Sequence, residues 1–408
     1  MLLPELSADG WRILAAKALR SFAFGLNAVV LGLYLATLEM EPGLIGLVLS
    51  AALAGTLALT VLIALWGDRI GRRRLLTTGG TLMLLAAAIP VVGANPVLLV
   101  LIGLSGMVAV TSNESTGLQS VDQAILPQTV ADRQRTSAFA FYNLVAAASS
   151  ALGALSVGPM VMLGQALGLQ GAAVYAPAFA LYAVVGGVSA LLSAGLSSRA
   201  EVGVPLERGF AIRRSRGIVA RLSGLFAIDA FAGGFVVQSY IAFWFAERFG
   251  LEAGTIGVLL AIGGVLAAIS FPVAAWIAAR IGLIRTMVFT HIPSNLFLIG
   301  LGLAPTVWLA VPLFFVRSAL SSMDIPTRQS YTMAMVDPEE RTATAGVTSL
   351  ARGVGQVLGP AVAGALLVPV SIGLPLIASG ALKTAYDLSL FAVFRSRPAP
   401  DEVLATAH

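Results

Sequence analysis

The 408-residue chain has no cysteine and only two histidines, which excludes disulfides, thiolate metal sites and thiol redox chemistry. Charge is equally scarce. Asp, Glu, Lys and Arg make up 11% of the residues, against about 25% in a soluble globule. No nucleophile–base pair or phosphate-cradling loop stands out, and the glycine-rich stretches fall inside apolar runs. Enzymatic activity and ATP-driven transport therefore have no residues to support them, and no cofactor is expected. No His, Cys or acid accompanies His291 at metal-ligand spacing, so it reads as a hydrogen-bonded core histidine and no metal is expected. The start, Met1 to Asp9, lacks a basic segment leading into a short apolar core, so no cleaved signal peptide is expected.

Apolar sequence is abundant: 58% of residues are hydrophobic and the mean hydropathy is +0.90. A spanning helix takes about 20 apolar residues. Membrane β-barrels are built from alternating segments of about 10 residues, and unbroken apolar runs such as 253–279 exclude them. The pattern predicts an all-α polytopic membrane protein of twelve helices. They fall near 11–37, 43–66, 75–93, 97–126, 136–163, 170–196, 219–246, 253–279, 284–303, 306–331, 341–368 and 372–394. Of the Lys and Arg that this scheme places in loops, only Arg248 lies outside. That bias sets both termini in the cytoplasm, within a cell inner membrane. The basic excess then serves topology and anionic lipid headgroups, with no role for nucleic acid.

Residues 197–218 form the longest polar stretch and divide the chain into halves at 1–196 and 219–394, with a tail at 395–408. The halves repeat. Leu19-Arg20-Ser21-Phe22 aligns with Ile228-Asp229-Ala230-Phe231, Arg69-Ile70-Gly71 with Arg280-Ile281-Gly282, Arg135-Thr136 with Arg341-Thr342, and Gly158-Pro159 with Gly359-Pro360. The matches keep their order and a nearly constant offset, as parallel six-helix repeats do.

A knot of charge, Gly67-Asp68-Arg69-Ile70-Gly71-Arg72-Arg73-Arg74, sits between uncharged runs at 42–67 and 75–113. It resembles the loop between the second and third helices of the major facilitator superfamily, Gly-x-x-x-Asp-Arg-x-Gly-Arg-Arg, with Ala64 in place of the first glycine. The resemblance implies a secondary active transporter, monomeric, in which Asp68, Arg69, Gly71, Arg72 and Arg73 latch the cytoplasmic ends of helices. Asp68 suits the free N–H groups of a helix start. The bland reading is a topology signal alone. The second copy, at Arg280 to Gly282, has lost its acid.

Gly153 with Gly158-Pro159, and Gly355 with Gly359-Pro360, resemble the Gly-Pro motif of the family's drug–proton antiporters and favour export of small organic or amphiphilic compounds. Close helix packing explains the same residues. The antiporters' arginine of the fourth helix is missing, since 97–126 holds Glu114 and Asp122 but no base. An importer or uniporter on the same fold, a non-transporting receptor and a lipid flippase remain as alternatives.

Ionisable side chains inside a bilayer cost roughly 2.5–3.5 kcal/mol each on insertion scales and so mark functional candidates. Arg20 and Asp229 lie about 15 Å into the first and seventh helices, which line the superfamily's central cavity. With Lys17 and Glu114 they are candidates for proton coupling, or alternatively a structural ion network. Phe24, Asn27, Leu31 and Tyr34 share a face with Arg20; Gly233, Tyr240 and Trp244 share one with Asp229, with Gln238 nearby. Phe24, Asn27, Tyr34, Gln238, Tyr240 and Arg317 are therefore the substrate candidates. Asp324 and Asp122, near cytoplasmic ends, are assigned to the gate. Lys383 and Asp387, four apart, are expected to neutralise each other, and Arg352 to snorkel to a helix end.

Overall fold

A computed structural model of the protein describes residues 6–111, 117–130, 135–201, 214–337 and 340–395, leaving aside the side chains of Asp68, residues 135–137, Ala140, Arg199, Arg341 and Thr342. The described residues form helices and turns, with no strand among them. The chain divides into two compact units, Met1–Leu206 with Val237–Ala261, and Glu207–Val236 with Ile262–His408.

In the first unit the helices are α1 (Ala8–Thr37), α2 (Pro42–Ile70), α3 (Arg72–Leu82), α4 (Ile89–Val92), α5 (Pro96–Gly103), α6 (Gly117–Ile125), α7 (Arg135–Leu155), α8 (Val157–Ala166) and α9 (Ala176–Ala194). Helix α3 runs through a 3-10 stretch, Met83–Ala88, into α4. Then follow α10 (Arg216–Gly234), α11 (Gln238–Phe249), α12 (Ala253–Ile281), α13 (Leu283–Leu303), α14 (Val307–Ser321), α15 (Asp324–Ala334), α16 (Arg341–Val362) and α17 (Leu374–Phe394).

Eleven helical stretches of the described residues are long and apolar enough to cross a membrane. They match eleven of the twelve predicted spans. The remaining one, near 97–126, is broken by Gly106, whose φ of +75° favours a residue without Cβ. Residues 112–116 of that span lie outside the described set.

Three predicted spans are also less regular than expected. The fifth bends at Ser156 between α7 and α8. The seventh breaks at Phe235 to Val237, which separates α10 from α11 and coincides with the unit boundary. The shared face expected for Asp229, Gly233, Tyr240 and Trp244 is thereby interrupted, because the last two belong to another helix. The tenth turns at Ser322 and Met323, between α14 and α15. Helix α16 is followed at once by a π-helical turn, Ala363–Leu367. Pro360 lies inside α16, just before that turn.

Without a hydrophobic drive between helices in lipid, close packing at small residues holds them together. Both units do this alike. In the first, α1 packs on α7: a Cβ on Gly25 would run into the Ser150 backbone, and one on Gly153 into Phe22. In the second, α10 packs on α16: Gly355 abuts the backbone of Ala227, and Gly359 that of Gly234 and Phe231. Gly158 instead meets Gly254 of α12. In the second unit Leu222 and Phe226 join Ile284, Met287, Val288, Tyr331, Tyr386, Leu390 and Phe394 in one buried apolar cluster.

Candidate functional site

Charged side chains sink into both units, and each unit supplies its own counter-charges. In the first, Arg20 on α1 is fully buried. Its guanidinium donates to the Asp122 carboxylate of α6 and reaches the Ser189 hydroxyl at 3.5 Å. Tyr142 donates to the same Asp122 oxygen at 2.9 Å, and the Lys17 ammonium lies 5.2 Å from the centre of the Tyr142 ring. Asp122, assigned from sequence to the gate, is thus the partner of a proton-coupling candidate. Glu114 lies outside the described residues.

The substrate candidates of α1 are buried in this unit. Asn27 donates to the Ala109 carbonyl at 2.8 Å and Tyr34 to that of Ile89 at 3.0 Å. Tyr34 stands edge-on to Phe179, and Phe24 lies against Tyr182. On α11, Tyr240 is buried beside Phe243, while Gln238 is half-buried.

The second unit holds a larger network around Asp229. This carboxylate is 2% exposed as a residue. Lys383 of α17 approaches one of its oxygens at 2.6 Å. Arg352 of α16 approaches the other at 2.9 Å, with Arg328 of α15 at 3.6 Å. Arg328 is bound mainly by Asp324, one turn earlier on the same helix, and its guanidinium lies 5.6 Å from the centre of the Phe226 ring. The apolar cluster that contains Phe226 adjoins these charges and keeps water from that side.

Two sequence expectations are corrected here. Lys383 and Asp387 do not neutralise each other. Lys383 crosses to Asp229, while Asp387 accepts from Asn295 at 2.8 Å and pairs with His291 at 3.0 Å, both on α13. Buried charge-assisted hydrogen bonds are worth more than an i,i+4 contact along one helix. Nor does Arg352 snorkel. Eleven residues into α16, it lies about 16 Å from the helix start, too deep to reach a membrane surface, and it finds Asp229 instead. Arg317 on α14 is half-buried and has no ion-pair partner among the described residues.

The charged loop meets a carboxylate that the sequence did not single out. Gly71 turns the chain with φ of +94°. The carboxylate at the start of α3 is that of Glu201, which accepts the backbone N–H groups of Arg72 at 2.8 Å and Arg73 at 3.1 Å. The Arg72 side chain reaches the carbonyls of Ala124 and Ala200, each at 3.4 Å. Asp68 lies in the last turn of α2; its side chain is not among those described, and Arg69 is exposed. In the second unit Gly282 repeats the turn with φ of +88°, and Arg280 stacks on Trp276 at 3.5 Å. Sequence reasoning missed Glu201. Its only signal is that it is the first acid after the sixth span.

The model of the Major Facilitator Superfamily matches residues 13–360 and 225–407. The chain belongs to this superfamily. It is 26% identical to the uncharacterized membrane protein YJR124C of Saccharomyces cerevisiae, over 93% of this chain and 92% of that one. Its backbone resembles the crystal structure of the nucleoside transporter NupG with a TM-score of 0.75 at 13% identity, covering 95% of this chain and 99% of that chain. It resembles a bacterial homolog of the human lysosomal transporter Spinster, crystallised inward-facing and unoccupied, with a TM-score of 0.74 at 15% identity, over 96% and 98% of the two chains. At such identities the structural likeness establishes the fold alone. That fold, twelve spanning helices in two six-helix halves, is a transporter's and not an enzyme's.

Proposed function

We propose that this superfamily member is a secondary active transporter that couples proton movement to the passage of small organic compounds by alternating access, with Asp229 carrying the proton. The observation behind this reading is the position of Asp229. It is buried on α10, and its two near counter-cations come from two other helices, Lys383 from α17 and Arg352 from α16. A carboxylate stays ionised while cations face it and binds a proton when they withdraw into a dry setting. Any rearrangement of α10 against α16 and α17 therefore becomes a proton taken up or released. In this reading Arg20, Lys17 and Asp122 form a structural network, and Glu114 is the reserve proton carrier.

Outward movement of cargo is the direction favoured by the Gly-Pro resemblance of the fifth and eleventh spans. The proposed setting is a cell inner membrane, as a monomer with both termini cytoplasmic. Purified protein reconstituted in vesicles, under an imposed proton gradient, tests the coupling. The cargo would be a labelled solute selected by thermal stabilisation. Asp229→Asn is expected to abolish gradient-driven flux while retaining solute exchange. Undiminished gradient-driven flux in that variant returns Asp229 to a structural role, and uptake in place of extrusion reverses the direction.

A further inference from the structure

The second unit carries more positive charge in its membrane interior than its acids neutralise. Among the buried and half-buried side chains of its helices are Arg317, Arg328, Arg352 and Lys383, against Asp229, Asp324 and Asp387. Asp387 is occupied by His291 and Asn295, and Asp324 by Arg328. Asp229 is left to answer both Lys383 and Arg352, while Arg317 has no ionic partner among the described residues.

Donors are left over as well. An ammonium has three N–H donors and a guanidinium five. Lys383 and Arg352 each use one, on Asp229, with no other hydrogen-bond partner among the described residues. Unused donors in a membrane interior are costly unless they meet water or an acceptor. The Arg352 side chain is 31% exposed although Asp229 beneath it is almost covered, so its free N–H groups face open space.

Two further features flank this point. Thr344, Thr348, Arg352 and Gln356 follow at four-residue steps on α16, a polar stripe on a spanning helix. On α10, Gly233 lies one turn after Asp229. A Cβ there would meet the Lys383 ammonium at an ordinary contact distance of 3.6 Å, which places Gly233 beside it.

We propose that the cargo is a small organic anion whose acidic group is held by Arg352 and Lys383, with Asp229 as the built-in counter-ion of the empty site. A carboxylate or phosphate matches the arginine fork. This rests on the reading of Asp229 as part of the transport site, but its test needs no gradient.

The probes are benzoate and phenyl phosphate, with benzylamine and benzyl alcohol as cationic and neutral matches of similar size. Each is added to the purified full chain in micelles, and the melting temperature is followed. The two anions are expected to stabilise the protein and the other two are not. Arg352→Gln should weaken anion affinity on the order of tenfold, the loss of one charge-assisted hydrogen bond. Asp229→Asn should strengthen it, because the internal competitor is gone. Should that variant fail to fold, Arg352→Lys, which keeps the charge but loses the planar fork, must still reduce the anion shift.

Equal stabilisation by amine or alcohol, no shift with either anion, or a shift unchanged in both Arg352→Gln and Arg352→Lys overturns the proposal. Phosphatidylglycerol against phosphatidylcholine micelles separates a headgroup from a free solute. Stabilisation by the anionic lipid alone, removed by Arg352→Gln, also overturns it. Anion binding without proton-driven flux would defeat the coupling reading and leave this one standing; the converse would do the opposite.

Discussion

Glu201 and Glu340 stand in the same relationship to the backbone at opposite ends of the segment that joins the two halves. Glu201 accepts the N–H groups of Arg72 and Arg73 at the start of α3. Glu340 accepts those of Arg214 and Ser215, at 2.8 and 3.0 Å, just before α10. Each carboxylate caps free donors at the positive end of a helix dipole. One ties the beginning of the joining segment to the first unit, and the other ties its end to the second.

Glu201→Gln keeps one acceptor oxygen but removes the charge and turns an amide toward one of the two N–H groups. Loss of such a cap costs about 0.5–2 kcal/mol, too little to prevent folding. If the charged loop gates the transporter, transport should slow while expression and membrane insertion stay normal, since the contact bears on conformational exchange. Normal rates in Glu201→Gln would reduce the contact to a helix cap and the arginines to a topology signal.

The Arg20–Asp122 pair is fully buried, so its two halves are unequal to lose singly and tolerable to lose together. Asp122→Ala strands the guanidinium and is expected to cost about 3–5 kcal/mol, with much of that recovered in Arg20→Met/Asp122→Leu. Tyr142→Phe removes a hydrogen bond to a charged group, about 1.5–3 kcal/mol. Thermal melting of the purified variants measures all three. A double variant as unstable as Asp122→Ala would mean that the pair is needed for more than mutual neutralisation.

The long apolar runs made the spans legible, because bilayer thickness allows few ways to divide such a sequence. The glycines at 153, 355 and 359 were equally readable as packing positions. Partner choice was not. Spacing alone joins Lys383 to Asp387, but the side chains answer to neighbouring helices that become adjacent only on folding. The break at Phe235 to Val237 was also hidden: Gly233-Gly234 precedes it, yet paired glycines occur within intact packing faces too. Glu201 sits in a polar stretch where any acid reads as a solvated one. Its helix-start partner lies more than a hundred residues away in sequence.

The orientation of the chain follows from the inside bias of its loop arginines and is open to direct measurement. A reporter fused after His408 and another inserted near Gly209 are both expected to report cytoplasm. A signal from the opposite side at either position would overturn the orientation and the span count on which it depends.

The network around Asp229 makes a prediction that separates tertiary from local pairing. Lys383 lies 2.6 Å from Asp229 on another helix and four residues from Asp387 on its own. Removing one member of a buried pair costs about 3–5 kcal/mol, because the other is left uncompensated. Breaking an i,i+4 pair costs only about 0.2–0.5 kcal/mol. Lys383→Met should therefore cost more than the loss of an i,i+4 pair, though less than an isolated buried pair because Arg352 still faces Asp229 at 2.9 Å. Asp229→Asn should recover part of that loss by removing the charge the lysine answered. The same lysine variant combined with Asp387→Asn should show nearly additive losses, because Asp387 answers to His291 and Asn295. Melting temperatures of the three single and two double variants complete both cycles. A larger coupling between Lys383 and Asp387 than between Lys383 and Asp229 would contradict the observed pairing, and with it the place of Lys383 in the proposed anion site.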